Sequence, residues 1–143
     1  MIENIPLPGI NDFDKIFWEN CSKNILSIQH CASCNQARFP PRHMCPKCQS
    51  IDHKWKDVSG SGQLWSYVVP RSPLLPYFEN QAPYVVGLIK LDDYSNVRII
   101  GRIFTDISNH EVDLKKFFIG VNLLVGFHKI SPDISIPFWY LDD

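Results

Sequence analysis

Four cysteines within eighteen consecutive residues form the part of this sequence whose residue types and spacing could bind a metal. The stretch reads CASCNQARFPPRHMCPKC and holds two C-x2-C pairs, with ten residues between the pairs. A C-x2-C turn directs two sulfur atoms towards one centre, and zinc(II) with four thiolates prefers a closed tetrahedron. We therefore predict that one zinc ion binds Cys31, Cys34, Cys45 and Cys48.

A site closed by four thiolates has no position for water or substrate, so we expect the metal to be structural. The segment is too short to form a sufficient core of its own, and zinc would supply the missing folding free energy. A thioredoxin-like redox pair would need a helix at one C-x2-C, which Pro40, Pro41 and Pro46 disfavour. The ligands alone do not separate zinc from iron in a rubredoxin-like geometry.

Other residues near the cysteines have plainer interpretations. His30 and His43 could each replace a thiolate, but four thiolates suffice, and we expect ordinary histidines near the surface of the ribbon. Cys21 is expected to be a small apolar filler. Residues 21–51 contain four cations and no acidic residue. These cations could balance a negative metal cluster or bind the phosphates of a ligand, and both interpretations stay open.

Length and charge limit the classes of partner. The chain has 143 residues and a formal net charge of -1, which demands neither nucleic acid nor an anionic membrane. It contains no apolar run approaching the roughly 20 residues needed to cross a bilayer. The first residues are acidic and lack a basic region followed by an apolar core, so we expect no secretory signal and a cytoplasmic protein.

The hydrophobic pattern on either side of the cysteines predicts a helix before them and strands after them. DFDKIFWENC predicts a short helix capped by Asn11 or Asp12, with Phe13, Ile16 and Phe17 on one face that must dock, by default on the C-terminal domain. About five short strands with a helical insert follow the cysteines and predict a small closed barrel. The glycines in or beside these strands are expected where a barrel bends. They are Gly62, Gly87, Gly101 and Gly126.

Two stretches of the predicted barrel could bind a ligand or a partner. In NVRIIGRIF, alternation places Ile99 and Ile103 inside the barrel and Arg98 and Arg102 on its outer face. The arginines could bind phosphate or simply keep the strand soluble. The connection PRSPLLPYFENQAP is long and apolar, which indicates either a docking surface or a plug over the barrel mouth.

The order of these parts resembles a known family. A helix containing FWE, a strand into C-x2-C, then FPPR, CPKC and SGSGQLWSY before a barrel closely resemble the small proteins with a rubredoxin-like zinc ribbon and an OB-fold. That family was long labelled a domain of unknown function and is commonly encoded beside thiolases. One departure is Asn35, where a glycine often follows the second cysteine; asparagine tolerates the left-handed backbone conformation expected there.

The resemblance implies both a fold and a function. The fold would be mainly β, with an N-terminal helical segment at residues 1–24, a zinc ribbon at 25–52 and a five-stranded OB-fold at 53–143. The protein would be a non-catalytic, acyl-CoA-binding scaffold subunit of a thiolase-like enzyme or a related acyl-CoA enzyme. The candidate residues for contact with CoA or the partner are Arg38, Phe39, Pro41 and Arg42, and more weakly Lys47, Arg98 and Arg102.

Two other functions compete with this one. Zinc ribbons and OB-folds also occur in proteins that bind single-stranded nucleic acid, and Trp65, Tyr67 and Phe104 could stack on bases. However, aromatic residues of small barrels usually belong to the core, and residues 52–143 carry nine basic and eleven acidic residues. A free-standing enzyme is less favoured still, because the sequence has no G-x-S-x-G, H-E-x-x-H or phosphate-loop pattern.

Overall fold

Strands dominate the computed structural model, which describes residues 5–143. Helix α1 (Lys15–Ser22) comes first, helix α2 (Pro76–Glu79) has one turn, and a 3-10 turn spans Leu114–Lys116. No helix in residues 5–143 is both long and apolar enough to cross a membrane. The strands are β1 (Ser27–Cys31), β2 (Ala37–Arg38), β3 (His53–Asp57), β4 (Ser61–Val68), β5 (Val85–Leu91), β6 (Arg98–Phe104), β7 (Asn122–Lys129) and β8 (Ser135–Leu141).

The strands form a small sheet and a closed barrel. The small sheet has the order β2-β1-β3 with β1 in the centre, and its pairs are antiparallel. The barrel has the order β4-β5-β6-β8-β7 and is antiparallel except between β6 and β8. The predicted mainly β fold with a five-stranded closed barrel is therefore confirmed.

Strand β3 belongs to the ribbon sheet and not to the barrel region, where the sequence pattern had placed it. It was expected to open the barrel region, but its five residues pair with β1, from Ser27 opposite Asp57 to Cys31 opposite His53. The fifth barrel strand is instead β8 at the end of the chain. The predicted domain boundaries at residues 24 and 52 stay a prediction, and residues 1–4 of the first segment lie outside the described residues. Strand pairing nevertheless joins residues 53–57 to the ribbon sheet.

The barrel interior is filled by large apolar side chains, and Ile99 and Ile103 of β6 point inwards as predicted. Gly62 lies where two strands come close, because a Cβ atom there would be 2.6 Å from the carbonyl oxygen of Lys90. The pairing of β4 with β5 shifts register between Leu64 and Ser66. The side chains buried most completely in the barrel are Leu64, Val85, Ile89, Ile99, Ile103, Leu123 and Trp139.

Helix α1 packs against β1, β7 and β8, so it docks on both the ribbon and the barrel. Its N-cap is Asp14 rather than Asn11 or Asp12. The Asp14 carboxylate accepts the N–H of the preceding turn at Asn11 (2.7 Å) and makes no capping bond to the helix. Its buried side chains are Phe17 and Cys21, one helical turn apart. Ile16 was expected on the docking face, but it is exposed.

The ribbon and the barrel are joined by three residues, 58–60, whose backbone is bonded on both sides. The Val58 N–H donates to the Leu26 carbonyl (2.9 Å), and the Val125 N–H donates to the Gly60 carbonyl (2.8 Å). Between them the Ser59 N–H donates to the carboxylate of Asp93 (3.1 Å). The connection is therefore tied to the ribbon at one end and to the barrel at the other.

Candidate metal centre and the surfaces around strand β6

The four predicted cysteines converge on one point between the two knuckles. Their sulfur atoms all lie within 4.8 Å of one another. The Cys31 and Cys48 sulfurs are 3.5 Å apart, and the Cys34 and Cys45 sulfurs are 3.6 Å apart. A tetrahedral zinc ion with bonds of about 2.3 Å sets its sulfurs about 3.8 Å apart, so the four thiolates fit one zinc ion.

The two knuckles repeat the same backbone pattern. The Cys31 N–H donates to Gln36 and the Cys45 N–H donates to Ser50, each closing a loop around its C-x2-C pair. The fourth residue after each first cysteine has a left-handed backbone, with φ of 59° at Asn35 and 64° at Gln49. The predicted left-handed conformation of Asn35 is thus confirmed. The two knuckles direct both pairs of sulfur atoms towards one centre.

The thiol pKa values differ within the cluster, because backbone N–H groups lower those of Cys31 and Cys45, while the neighbouring thiols raise the pKa of Cys48 to about 11. The backbone N–H of Cys34, directed at the Cys31 sulfur from 3.4 Å, is the main cause of a Cys31 pKa lowered to about 6. A low thiol pKa favours the thiolate that a metal requires. Cys21 lies on the buried face of α1, outside the cluster, and burial raises the pKa of its thiol to about 12. Cys21 is therefore the buried apolar filler that was predicted.

The flanking histidines do not join the cluster. His43 is exposed and its ring lies against Phe13, 4.7 Å between centroids. His30 was expected near the surface, but it is fully buried with its ring against Tyr94, and its Nδ1 is 3.0 Å from the Ile28 carbonyl. This burial arises because the loop before β6 covers the face of β1.

Arg38 holds the FPPR loop closed instead of facing solvent. It is only 5% exposed. Its Nε donates to the Gln29 side-chain oxygen (2.7 Å), and its Nη2 donates to the Arg42 carbonyl (3.1 Å). The same Gln29 oxygen accepts the Arg42 N–H (2.8 Å). This arrangement, the Arg38 clamp, positions Phe39, whose ring packs on Phe17 with centroids 5.5 Å apart.

The other predicted ligand or partner residues are divided among several surfaces. Arg42 and Lys47 are exposed on the ribbon. Phe39 and Pro41 line an apolar groove of about 320 Å³, the α1 groove, together with Phe17, Trp18, Ile99, Ile100, Ile136 and Pro137. The groove runs between α1, the FPPR loop and the strands β6 and β8. Contact of any of these residues with CoA or a partner stays a prediction.

Arg98 lies on the outer barrel surface beside an exposed indole. Its guanidinium carbon is 4.1 Å from the centre of the Trp65 ring, and the Lys90 ammonium is 5.7 Å from the same ring. Trp65 is 47% exposed because it stands at the irregularity in β4, and Tyr67 is exposed too. The expectation that these aromatic residues belong to the core is wrong for both, although Phe104 is buried.

Arg102 lines a cavity of about 650 Å³ beside the barrel strands. The walls come from residues 5–6, β6, β7, β8, the loop that carries α2 and the loop before the 3-10 turn. The apolar connection between β4 and β5 supplies three of the lining residues, Tyr77, Phe78 and Gln81. The sequence pattern singled out that connection as a possible docking surface or plug. It did not assign His110 and His128 to a ligand site, because they lie on distant segments and belong to no motif.

The architecture and the cysteine cluster can now be compared with known proteins. The rubredoxin-like zinc ribbon domain of ChsH2 matches residues 18–52, and the C-terminal OB-fold domain of ChsH2 matches residues 55–134. The second match alone spans more than half of the chain. This chain belongs to the ChsH2 zinc-ribbon and OB-fold family. The ChsH2 ribbon match includes all four clustered cysteines, which supports one structural zinc ion.

The curated relatives of this chain are described in different ways. This chain is 33% identical over 132 residues to a probable enoyl-CoA hydratase alpha subunit of Thermomonospora curvata, and the match covers 92% of this chain but only 38% of that relative's length. It is 32% identical over 108 residues to a DUF35 domain-containing scaffold protein of Methanocaldococcus jannaschii, covering 72% of this chain and 67% of the relative.

Solved structures agree with the ChsH2 assignment. A chain of the Ltp2-ChsH2(DUF35) aldolase superimposes with a TM-score of 0.81 and 30% identity, covering 94% of this chain and 98% of that one. A DUF35 family protein of unknown function from Sulfolobus solfataricus has a TM-score of 0.60 and 12% identity over 92% of this chain and 86% of its own, so it supports the fold alone.

Proposed function

We propose that this chain is a non-catalytic scaffold subunit that binds a thiolase-like enzyme of acyl-CoA metabolism and contacts the CoA part of its substrate. The observation that carries the proposal is the match, at 30% identity over almost the whole length, to a chain of the Ltp2-ChsH2(DUF35) aldolase. The scaffold description of one relative supports a non-catalytic role, and the enoyl-CoA hydratase subunit description of another supports an association with acyl-CoA metabolism. We also propose a cytoplasmic location, where zinc thiolates stay reduced.

The α1 groove is the surface that best suits the partner enzyme. It is apolar, and Ile100 at its edge is 67% exposed on the barrel. Phe39 and Pro41, two of the residues predicted to contact a ligand or partner, form part of its wall. Contiguous exposed apolar surface of this kind marks protein interfaces more often than an isolated exposed side chain does.

Replacing Ile100 by aspartate should weaken binding of the partner at least about tenfold, because a carboxylate would lose its water against an apolar surface. The tagged chain is first purified from its native host, and a thiolase-like enzyme in the complex is identified by mass spectrometry. Affinity for that purified enzyme is then measured by biolayer interferometry. The control is Ile51→Asp, which changes an isoleucine that is 68% exposed on the ribbon. Equal affinity of the two variants would exclude the groove as the interface.

The surface around Trp65 has the chemistry that the nucleotide end of CoA requires. Lys90 and Arg98 face each other across β5 and β6, and both lie near the indole. Between residues 5 and 143 the ion pair found joins Lys15 to Glu19. Neither Lys90 nor Arg98 therefore has a carboxylate partner among these residues. Two free cations beside a flat aromatic ring suit phosphates and an adenine.

The double change Lys90→Ala and Arg98→Ala should weaken CoA binding at least about tenfold, since each lost cation removes a charge-assisted phosphate contact. Isothermal titration with CoA measures the loss, and the matched control removes two other exposed cations, Arg71 and Lys129. A second pair, Arg42→Ala with Lys47→Ala, tests the cations of the ribbon and should have a smaller effect. Equal CoA affinity in all three double variants would refute the assignment of this surface.

A nucleic-acid function has one observation in its favour, the exposure of Trp65 and Tyr67 beside two cations. A labelled single-stranded oligonucleotide distinguishes it in the same experiment. Salt-sensitive binding of the oligonucleotide, lost in the Lys90 and Arg98 double variant while CoA gives no heat, would favour that function over the scaffold.

A further inference from the structure

The cavity at Arg102 is chemically different from the CoA surface proposed above. Its volume of about 650 Å³ lies within the range of about 300–1,000 Å³ typical of small-molecule sites. Most of the wall is aromatic or aliphatic, and the polar groups are few. They are the side chains of Tyr77, Gln81, Arg102, His110 and His128.

Arg102 is held in place by aromatic rings and an amide, and no carboxylate between residues 5 and 143 forms an ion pair with it. Its guanidinium carbon lies 4.8 Å from the Tyr84 ring centre and 4.9 Å from the Phe104 ring centre. Its Nη1 donates to the side-chain oxygen of Gln81, while its Nε is buried without a partner among residues 5–143. A partly buried cation without a counter-ion is unfavourable, so an anion entering the cavity would gain strongly.

The two histidines complete a polar corner at the same wall. The ring centroids of His110 and His128 are 5.4 Å apart, and the His110 ring also packs on Phe104 and Phe138. Burial lowers the pKa of His128, and the neighbouring His110 and Arg102 add to the effect. A neutral imidazole can donate one hydrogen bond without adding a second charge.

These features limit the ligand. Among residues 5–143 the cavity wall carries one arginine, Arg102, which matches a single negative charge on an apolar body. The several phosphate charges of CoA match the paired cations at Trp65 better. Arginine binds a carboxylate through two parallel N–H bonds, and the aromatic walls suit an aryl or alkyl group.

We propose that this cavity is a binding site for a small apolar monocarboxylate, with Arg102 as the carboxylate-binding residue and Gln81 as the residue that orients it. The aromatic walls hold the apolar body, and the histidines offer a further hydrogen bond. The site does not depend on the proposed scaffold function. The cavity shares Ile136 and Pro137 with the α1 groove, but its polar residues lie outside both that groove and the surface at Trp65.

The test uses 4-phenylbutyrate and its neutral analogue 4-phenyl-1-butanol, titrated by calorimetry into the full chain with zinc bound. We expect the carboxylate to bind at least about tenfold more tightly than the alcohol. Arg102→Met should remove that preference, while Arg71→Met, a change to an exposed arginine that does not line the cavity, should keep it. Equal affinity of the two compounds, no binding of either, or an unchanged preference in Arg102→Met would each overturn the proposal.

A measurement on the unmodified chain keeps the proposal testable if Arg102→Met does not fold. In proton–nitrogen NMR spectra, 4-phenylbutyrate should shift the backbone signals of Arg102, Phe104 and His128 more than those around Trp65. CoA should give the opposite pattern if the proposed CoA surface is right, so failure of one proposal is distinguishable from failure of the other. Shifts from 4-phenylbutyrate that avoid the cavity would refute the site.

Discussion

Replacing Cys45 by serine should release the metal and unfold the ribbon. Structural zinc binds to small peptides with an apparent free energy of about 10–16 kcal/mol, and much of the folding free energy of a small metal module comes from it. Cys45 is fully buried at the centre of the cluster, so no other side chain can replace its thiolate. Elemental analysis should fall from one zinc per chain to nearly none, and near-ultraviolet circular dichroism should show loss of ribbon structure.

Cys21→Ser is the matched control for that experiment, because Cys21 is equally buried but lies outside the cluster. It should keep one zinc per chain and lose only about 1–3 kcal/mol, the usual consequence of burying a hydroxyl. The same elemental analysis separates zinc from iron. Full metal content in Cys45→Ser, or a fold that a strong chelator leaves intact, would contradict a structural tetrathiolate site.

Arg38→Ala should destabilise the chain by about 2–4 kcal/mol, although it removes a charged residue from a region that looks like a basic surface. The change removes one donor from the buried Gln29 oxygen and one from the partly buried Arg42 carbonyl. It also empties the space beneath the FPPR loop, on which Phe39 and α1 depend. Urea unfolding followed by tryptophan fluorescence measures the loss.

Arg42→Ala is the control, since Arg42 contributes only its backbone N–H and carbonyl to the Arg38 clamp. Its side chain is exposed, and its removal should change stability by less than about 0.5 kcal/mol. Zinc content should stay at one per chain in both variants, because neither residue belongs to the cysteine cluster. Equal stability of the two variants would show that the clamp is energetically unimportant.

The metal centre could be predicted because its information is local. The ligand spacing, the left-handed position at Asn35 and the isolated Cys21 are all readable within a few residues of the cysteines. The barrel could be predicted for a similar reason, since alternation within β6 already separates Ile99 and Ile103 from the outer residues.

The errors have a common cause, which is that burial depends on partners distant in sequence. Arg38 looked like a surface cation because its partner Gln29 lies on the neighbouring strand, opposite it in the register of β1 and β2. Trp65 looked like a core residue because the register shift after Leu64 cannot be read from composition. The alternation in β3 predicts a strand but does not say which sheet that strand will join.

The cavity at Arg102 shows the same limit most clearly. Its polar residues come from four separate stretches of chain, around positions 77–81, 102, 110 and 128, which the barrel and its loops bring together. The proline-containing connection did indicate that something apolar lay between β4 and β5. It could not indicate the charge of what the wall would bind, because the arginine belongs to another strand.

The three-residue connection between β3 and β4 has a mechanical consequence. Residues 58–60 are bonded at one end to the ribbon and at the other to the barrel, so the two parts have no slack in which to pivot. Proteins gripping opposite parts of this chain would be kept at a constant spacing and angle. In an assembly the molecule would hold its partners rigidly and would not act as a flexible linker.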